Sequence, residues 1–183
     1  MISFKLHSMD SAPEASKKLL EKSNKDYGMI PSMHAVLSES PQTLEAYQSL
    51  YDLFSNSSLS KEQRHVVWLT ASVTNACHYC VPAHSMIASM DGFDKNIIKA
   101  IRSEKPIQDE SLEALRKYTR SVVINRGNID KADAVNMKRL GYTNQNLLDI
   151  LLGVSHKVLS NYVNFLVDTP IDEPFLPFVS PTS

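Results

Sequence analysis

Cys77-His78-Tyr79-Cys80-Val81-Pro82-Ala83-His84 holds both cysteines of the chain and decides how its surroundings are read. Residues three and four apart are neighbours on a helix. A Cys-x2-Cys-x3-His string therefore sets two thiols and an imidazole on one helical face, with His84 one turn beyond Cys80. Two thiols at that spacing can close a disulfide or share a metal, and the imidazole can take a proton from a thiol. Pro82 is tolerated only in the first turn or so of a helix, which puts the helix start between Cys77 and Tyr79. Gly92 ends it.

Outward from this stretch the pattern is helical nearly throughout, with no run of alternating β-branched residues. Upstream, Ser60 and Gln63 form a capping box for a helix to about Asn75 that carries Val66, Val67, Leu69, Ala71 and Val73. Pro41 opens a helix with Leu44, Tyr47, Leu50, Tyr51 and Phe54, whose aromatic residues read as core and not as a ligand pocket. Pro13 to about Lys25 and Met33 to Ser38 are shorter helices. Downstream, Asp94 caps a helix through Ile101, and a longer one spans about 109–125, closed by Gly127. Asp130 caps another that ends at Gly141. Thr143 starts the last long helix, with Ile150, Leu151, Val154, Val158, Tyr162, Phe165 and Leu166 as its apolar content. Residues 169–183 read as an extended C-terminal arm, with Phe175-Leu176-Pro177-Phe178 reaching a neighbouring subunit. The expectation is one all-α domain over residues 1–183, with enough chain for a proper core.

With 183 residues, 43% of them hydrophobic, and a net charge of −1, nothing points to nucleic acid or to an anionic membrane as partner. No apolar run approaches the ~20 residues needed to span a bilayer. Met1-Ile2-Ser3-Phe4-Lys5-Leu6-His7 lacks the apolar region of a signal peptide. A soluble cytoplasmic protein is expected, and in that reducing compartment a lone Cys-x2-Cys is redox-active or metal-binding more often than structural.

Cys77, Cys80 and His84 supply three of the four ligands of a tetrahedral zinc, and His65 or His78 could supply the fourth. Redox use is the favoured reading, and neither a metal nor a cofactor is assigned. A c-type haem is excluded because Val81 follows Cys80. A thioredoxin fold is disfavoured because no strand precedes the motif. His65 lies twelve residues before Cys77, ~18 Å along an unbroken helix. If the chain reverses near Asn75, the resulting hairpin puts His65 opposite His84, beside the thiols. His34 and His156 read as structural and Trp68 as core or interface. His78 and Tyr79 read as helix-start residues packed at a subunit contact. Asn161 and Asn164 could line the site or cap an interface.

Leu59-Ser60-x4-His65-Val66-Val67-x-Leu69-x3-Val73-x-Asn75-x-Cys77-x-Tyr79-Cys80-x2-Ala83-His84 resembles the carboxymuconolactone decarboxylase/AhpD-like family. Tyr27-Gly28-Met29-Ile30-Pro31, Glu39-Ser40-Pro41, Gly141-Tyr142-Thr143 and Ser160-Asn161-Tyr162-x-Asn164 extend the resemblance over about residues 10–175. It implies an AhpD-like multi-helix bundle, a homo-oligomer (trimer or hexamer), and a hydroperoxide reductase of antioxidant defence that draws electrons from an external dithiol. The ring-decarboxylating branch normally lacks the cysteine pair, so its presence favours the redox branch. Carried over, Cys80 is the attacking thiol, Cys77 the resolving thiol, and His84 part of a proton relay. The physical reading is divided: His84 stands one turn from Cys80 as its base, while the helix N-terminus favours a thiolate at Cys77.

One departure is informative. Where that branch usually has Glu, twelve residues before the first cysteine, this chain has His65, which cannot orient His84 as a carboxylate does. A weaker or differently tuned peroxidase is expected. The other functions kept in view are a general dithiol-disulfide oxidoreductase and a non-catalytic helical protein that binds a metal or a partner.

Overall fold

A computed structural model describes residues 4–179. Residues 1–3, part of the stretch read for a leader, and 180–183, the end of the expected arm, lie outside the described residues. In chain order the elements are α1 (Glu14–Tyr27), α2 (Ser32–Leu37), α3 (Pro41–Ser55), α4 (Lys61–Thr74), α5 (Cys80–Met90), α6 (Lys95–Arg102), α7 (Glu110–Ile124), α8 (Lys131–Arg139), α9 (Asn144–Val167) and a 3-10 turn, Glu173–Phe178. No strand occurs among the described residues, so the all-α expectation holds.

Helix α4 is the hub. It packs against α5, α6, α7 and α9, and Val66, Val67, Leu69 and Ala71 are fully buried. Burying a valine or leucine side chain is worth about 1.5–3 kcal/mol. Its capping box forms as read: the Ser60 amide donates to Gln63 Oε1 at 2.9 Å, and the Gln63 amide donates to Ser60 Oγ at 3.2 Å. Thr143 and Asn146 cap α9 in the same reciprocal way.

Helix α9 lies against α3 and α4, and its register depends on Gly153. A Cβ at that position would fall 2.5 Å from the Phe54 ring. The absence of a side chain there lets Phe54 seat against α9, which fixes where Lys157, Ser160 and Asn164 sit one, two and three turns later.

The apolar reading of α9 is partly corrected. Ile150 and Val154 are buried, but Leu151, Tyr162, Phe165 and Leu166 are exposed, while Lys157, Ser160, Asn161 and Asn164 are buried. The helix turns a polar stripe inward because that stripe surrounds the thiols. It is also the one helix among the described residues long and apolar enough to cross a bilayer, by length and composition alone.

The C-terminal segment is corrected as well. Residues 169–179 do not extend away as an arm. The 3-10 turn folds back onto α5 and buries Phe175 in its own chain, edge-on to Tyr79 at 5.6 Å. Asp172 anchors it by accepting hydrogen bonds from the Ser32 amide (3.1 Å), the Ser32 hydroxyl (2.6 Å) and the Tyr79 hydroxyl (2.5 Å). An apolar tail gains more by covering an apolar groove of its own chain than by remaining in water.

Candidate active site

The reversal between α4 and α5 delivers the cysteines. After Asn75, Ala76 adopts the left-handed conformation (φ 52°). The Cys77 amide donates back to the Ser72 carbonyl at 3.0 Å, and the Ala76 amide to the Val73 carbonyl at 2.8 Å. This 6→1 and 5→2 pair is a Schellman ending. It leaves Cys77 in the connecting turn, not on the α5 face with Cys80 and His84. Cys80 is the first residue of α5, and its amide donates to Cys77 Sγ at 3.3 Å. The Cys77 sulfur thus takes one of the amides that a helix start leaves unpartnered. Pro82 falls at the third helical position, where the missing N–H costs no intrahelical bond.

Both thiols are free and buried, with Cys77 0% and Cys80 2% exposed. The polar stripe of α9 closes around them. Asn164 Nδ2 lies 3.2 Å from Cys80 Sγ and 3.8 Å from Cys77 Sγ, and Ser160 Oγ is 3.7 Å from Cys80 Sγ. Asn161 turns its Oδ1 to the Asn75 amide group at 2.8 Å. The undecided asparagines therefore belong to the site.

Burial pushes the Cys80 thiol up, but the hydrogen bond with Cys77, the Lys157 charge, the Ser160 hydroxyl and the Asn161 amide overcome it and hold Cys80 below the ordinary thiol range. Cys77 goes the other way: its bond to the Cys80 sulfur, its burial and the Cys80 charge raise it. The helix start and the lysine both favour a thiolate at Cys80. The argument for Cys77 rested on a helix beginning earlier than it does.

His84 also differs from its expected setting. Lys157 Nζ lies 2.7 Å from His84 Nε2, and Lys157 is 1% exposed. An ammonium only donates, so Nε2 accepts and the imidazole proton sits on Nδ1. Burial first, then the charges of Lys157, His156 and His65, hold His84 well below the usual histidine range.

His65 is not brought to the thiols. The hairpin forms, but His65 faces Asp91 at the far end of α5, with Nε2 2.9 Å from Asp91 Oδ2, and Lys61 pairs with the same carboxylate at 2.7 Å. Trp68 contacts both imidazoles, at 6.1 Å from His65 and 5.4 Å from His84, centroid to centroid. Among the described residues no group of three or more His, Cys, Asp or Glu is arranged to hold a metal ion.

A cavity of about 300 Å³ opens onto Cys80, His84 and Lys157. Its lining includes Tyr27, Tyr47 and Tyr51, the methionines Met29, Met33, Met86 and Met90, and Pro174 and Phe175 from the folded-back segment. Tyr47 and Tyr51 line it together with His34; Phe54 and Tyr47 are buried in the core as read, while Tyr51 is partly buried against it. His34 is held by Ser23 at 2.8 Å, and burial together with the Lys22 charge pushes it down to about 4. His156 accepts from Trp68 Nε1 at 3.0 Å, a structural role. Tyr79 and His78 are bonded within the chain, His78 Nε2 lying 3.0 Å from the Thr169 carbonyl oxygen. Reading the sequence missed Lys157, Ser160 and the anchor Asp172. The available signal was phase: Lys157, Asn161 and Asn164 follow Ile150 and Val154 at three- and four-residue steps.

Residues 41–107 match the Carboxymuconolactone decarboxylase family model. No curated protein matches the chain. Among solved structures, an uncharacterized peroxidase-related protein from Ralstonia eutropha JMP134, described as an alkylhydroperoxidase AhpD core, superposes with a TM-score of 0.84 at 18% identity over 98% of this chain and 97% of that one. A peroxidase-related protein from Silicibacter sp. TM1040 gives 0.80 at 18% identity, covering 95% and 92%. A cysteine-to-alanine variant of the debrominase Bmp8 in complex with 2,3,4-tribromopyrrole gives 0.81 at 15% identity, covering 97% and 95%. The segment 41–107, which carries both cysteines, is thus similar to the carboxymuconolactone decarboxylase family, and the chain as a whole has the AhpD-like fold.

Proposed function

We propose that this protein is a thiol-dependent hydroperoxide reductase of antioxidant defence. The observation that supports it most is Cys80, a buried thiol lining a largely apolar cavity with Lys157, and in reach of Asn164 and Ser160, with a second thiol in the preceding turn. The Cys80 thiolate attacks the terminal peroxide oxygen and the O–O bond breaks. The alkoxide leaves and takes a proton, and Cys80 becomes a sulfenic acid that keeps the hydroperoxide's own proton. The Cys77 sulfur then displaces water from Cys80 to close a disulfide. An external dithiol returns two electrons and two protons. Both cysteines are buried, so a slender dithiol that enters the cavity fits better than a folded protein's disulfide or dithiol. That argues against a general dithiol-disulfide oxidoreductase. Free thiols suit a reducing cytoplasm, and the exposed Leu148, Leu151, Tyr162, Phe165 and Leu166 along α9 suit a homo-oligomer.

The test is to count free thiols before and after one equivalent of an organic hydroperoxide, with mass spectrometry of the peptide spanning residues 77–84. Rapid loss of both thiols to an internal disulfide is expected; an unreacted dithiol would overturn the reading. A second reading, reductive removal of halogen from an aromatic ring, is favoured by the aromatic walls and by the shared fold with Bmp8. Bromide release from a bromopyrrole, without reaction of the hydroperoxide, would select it.

A further inference from the structure

Lys157 is buried, and no carboxylate among the described residues pairs with it. Asp26 and Asp91, the two carboxylates that line the cavity, are engaged elsewhere, with Lys22 at 2.8 Å and with Lys61 at 2.7 Å respectively. Lys157 Nζ instead meets the neutral face of His84 at 2.7 Å, on the cavity wall that also presents Cys80. A buried charge left unpaired is strongly unfavourable. The anion available to it is the Cys80 thiolate. Resting on the thiol chemistry proposed above, we propose that Lys157 and Cys80 form a buried ammonium–thiolate pair, and that Lys157 is the general acid that protonates the group leaving from the thiolate's target, with His84 as the residue that positions it.

The charge balance makes the two roles one. When Cys80 attacks a hydroperoxide its negative charge leaves with the alkoxide. The ammonium is then buried without a counter-charge at the moment the alkoxide needs a proton. Transfer of that proton gives a neutral amine, a neutral alcohol and a neutral sulfenic acid. Disulfide closure releases water and changes no charge. The external dithiol supplies two electrons and two protons, one proton to Cys77 and one to Lys157, and the pair is restored. His84 cannot fill this role from Nε2, because that nitrogen accepts from Lys157. Cys77 and Tyr79 from the turn before α5, Tyr47 from α3, His34 from α2 and His156 from α9 are the other ionisable groups around the pair; His65 from α4, turned to Asp91, acts on His84 only through space.

The inference is read on the wild-type protein by NMR of isotope-labelled lysine side chains, in the dithiol form and after oxidation with diamide. Diamide accepts two electrons and two protons and is not a peroxide. Lys157 is expected to be an ammonium in the dithiol form and a free amine in the disulfide form near neutral pH. The same protonation state in both forms would overturn the proposal. Variants sharpen it. Lys157→Met should slow alkylation of Cys80 by iodoacetamide at pH 7 at least about tenfold, by removing the partner charge. Lys157→Arg keeps the charge but holds its proton; alkylation should remain fast while hydroperoxide reduction falls about a hundredfold. Wild-type rates in both assays would reduce Lys157 to a fixed charge. His84→Gln, which retains an acceptor for the ammonium, should keep the pH midpoint of alkylation, whereas His84→Leu should move it. Should the lysine switch occur in a protein inert to hydroperoxide, the pair stands and the hydroperoxide reading falls.

Discussion

His65 and His84 sit on the two helices of one hairpin, both against Trp68, one turned toward the Asp91 end and the other toward the thiol end; each is beside a lysine, and their hydrogen bonds run in opposite senses. At one end Asp91 accepts from His65 and also pairs with Lys61, so every formal charge has a partner. Lys61 and Asp91 are partly open to solvent there. At the other end Lys157 donates to His84, both are buried, and no carboxylate among the described residues joins them. Similar parts, an imidazole and a lysine, make a structural clamp where the third member is a carboxylate and a reactive centre where it is a thiol. A carboxylate is an anion across the whole physiological range, whereas a thiol becomes one only if its surroundings favour it. The thiol end is therefore the one at which redox chemistry can switch the local charge.

The largest effect should separate the two ends completely. Cys80→Ser should abolish hydroperoxide turnover, while Asp91→Asn should leave the rate of Cys80 alkylation within about twofold of wild type, since Asp91 acts at the other end. Equal loss in the two variants would join what the structure separates. Cys77→Ser should stop the cycle one step later, with a sulfenic acid at Cys80 that a dimedone adduct reveals by mass spectrometry.

Acid should act next most strongly. His34, His65, His84 and His156 are all held below the usual histidine value, burial being the largest cause each time. The unfolded chain thus binds more protons than the folded one, so stability rises with pH. The stability is fully present above about pH 6.5 and is lost as pH falls toward each folded value, which for His34 is about 4. Each histidine contributes a slope of about 1.4 kcal/mol per pH unit in its window. Denaturant midpoints measured from pH 7 to 5 should fall accordingly, and His84→Gln should remove one histidine's share. An unchanged slope in that variant would mean that His84 is charged in the folded protein.

Two smaller effects test the supports. Asp91→Asn should lower stability by about 1 kcal/mol through weaker bonds to His65 and Lys61, seen in thermal melts. Ala76→Gly should raise it by up to about 1 kcal/mol, because Ala76 occupies a left-handed position that glycine takes without a Cβ clash. A loss of stability instead would show that the turn tolerates alanine at no cost.

Much of the helical order was legible from local signals. Ser60 and Gln63, Pro41, Asp94, Asp130 and Thr143 mark helix starts by satisfying or omitting amides, and such signals act within four residues. The hairpin at Asn75 was legible too, as was the placing of Cys80 and His84 one turn apart on α5. The partner of His65 was not. A spacing argument folds the chain about a point, whereas a Schellman turn sets its own offset and carries His65 to Asp91.

What the sequence by itself determined is the all-helical class, the cysteine pair at a helix start and the imidazole one turn beyond Cys80. Each of these follows from residues close together in the chain, where covalent geometry limits the outcomes. Only the tertiary structure decided that α9 turns Lys157, Ser160 and Asn164 inward and leaves Tyr162 and Phe165 exposed. It also decided that residues 169–179 fold back as a wall of the cavity, and that the charge beside Cys80 comes from a lysine 77 positions away. These contacts join residues separated by many turns of helix, and the packing of Phe54 against Gly153, which no local pattern encodes, sets the register that brings them together.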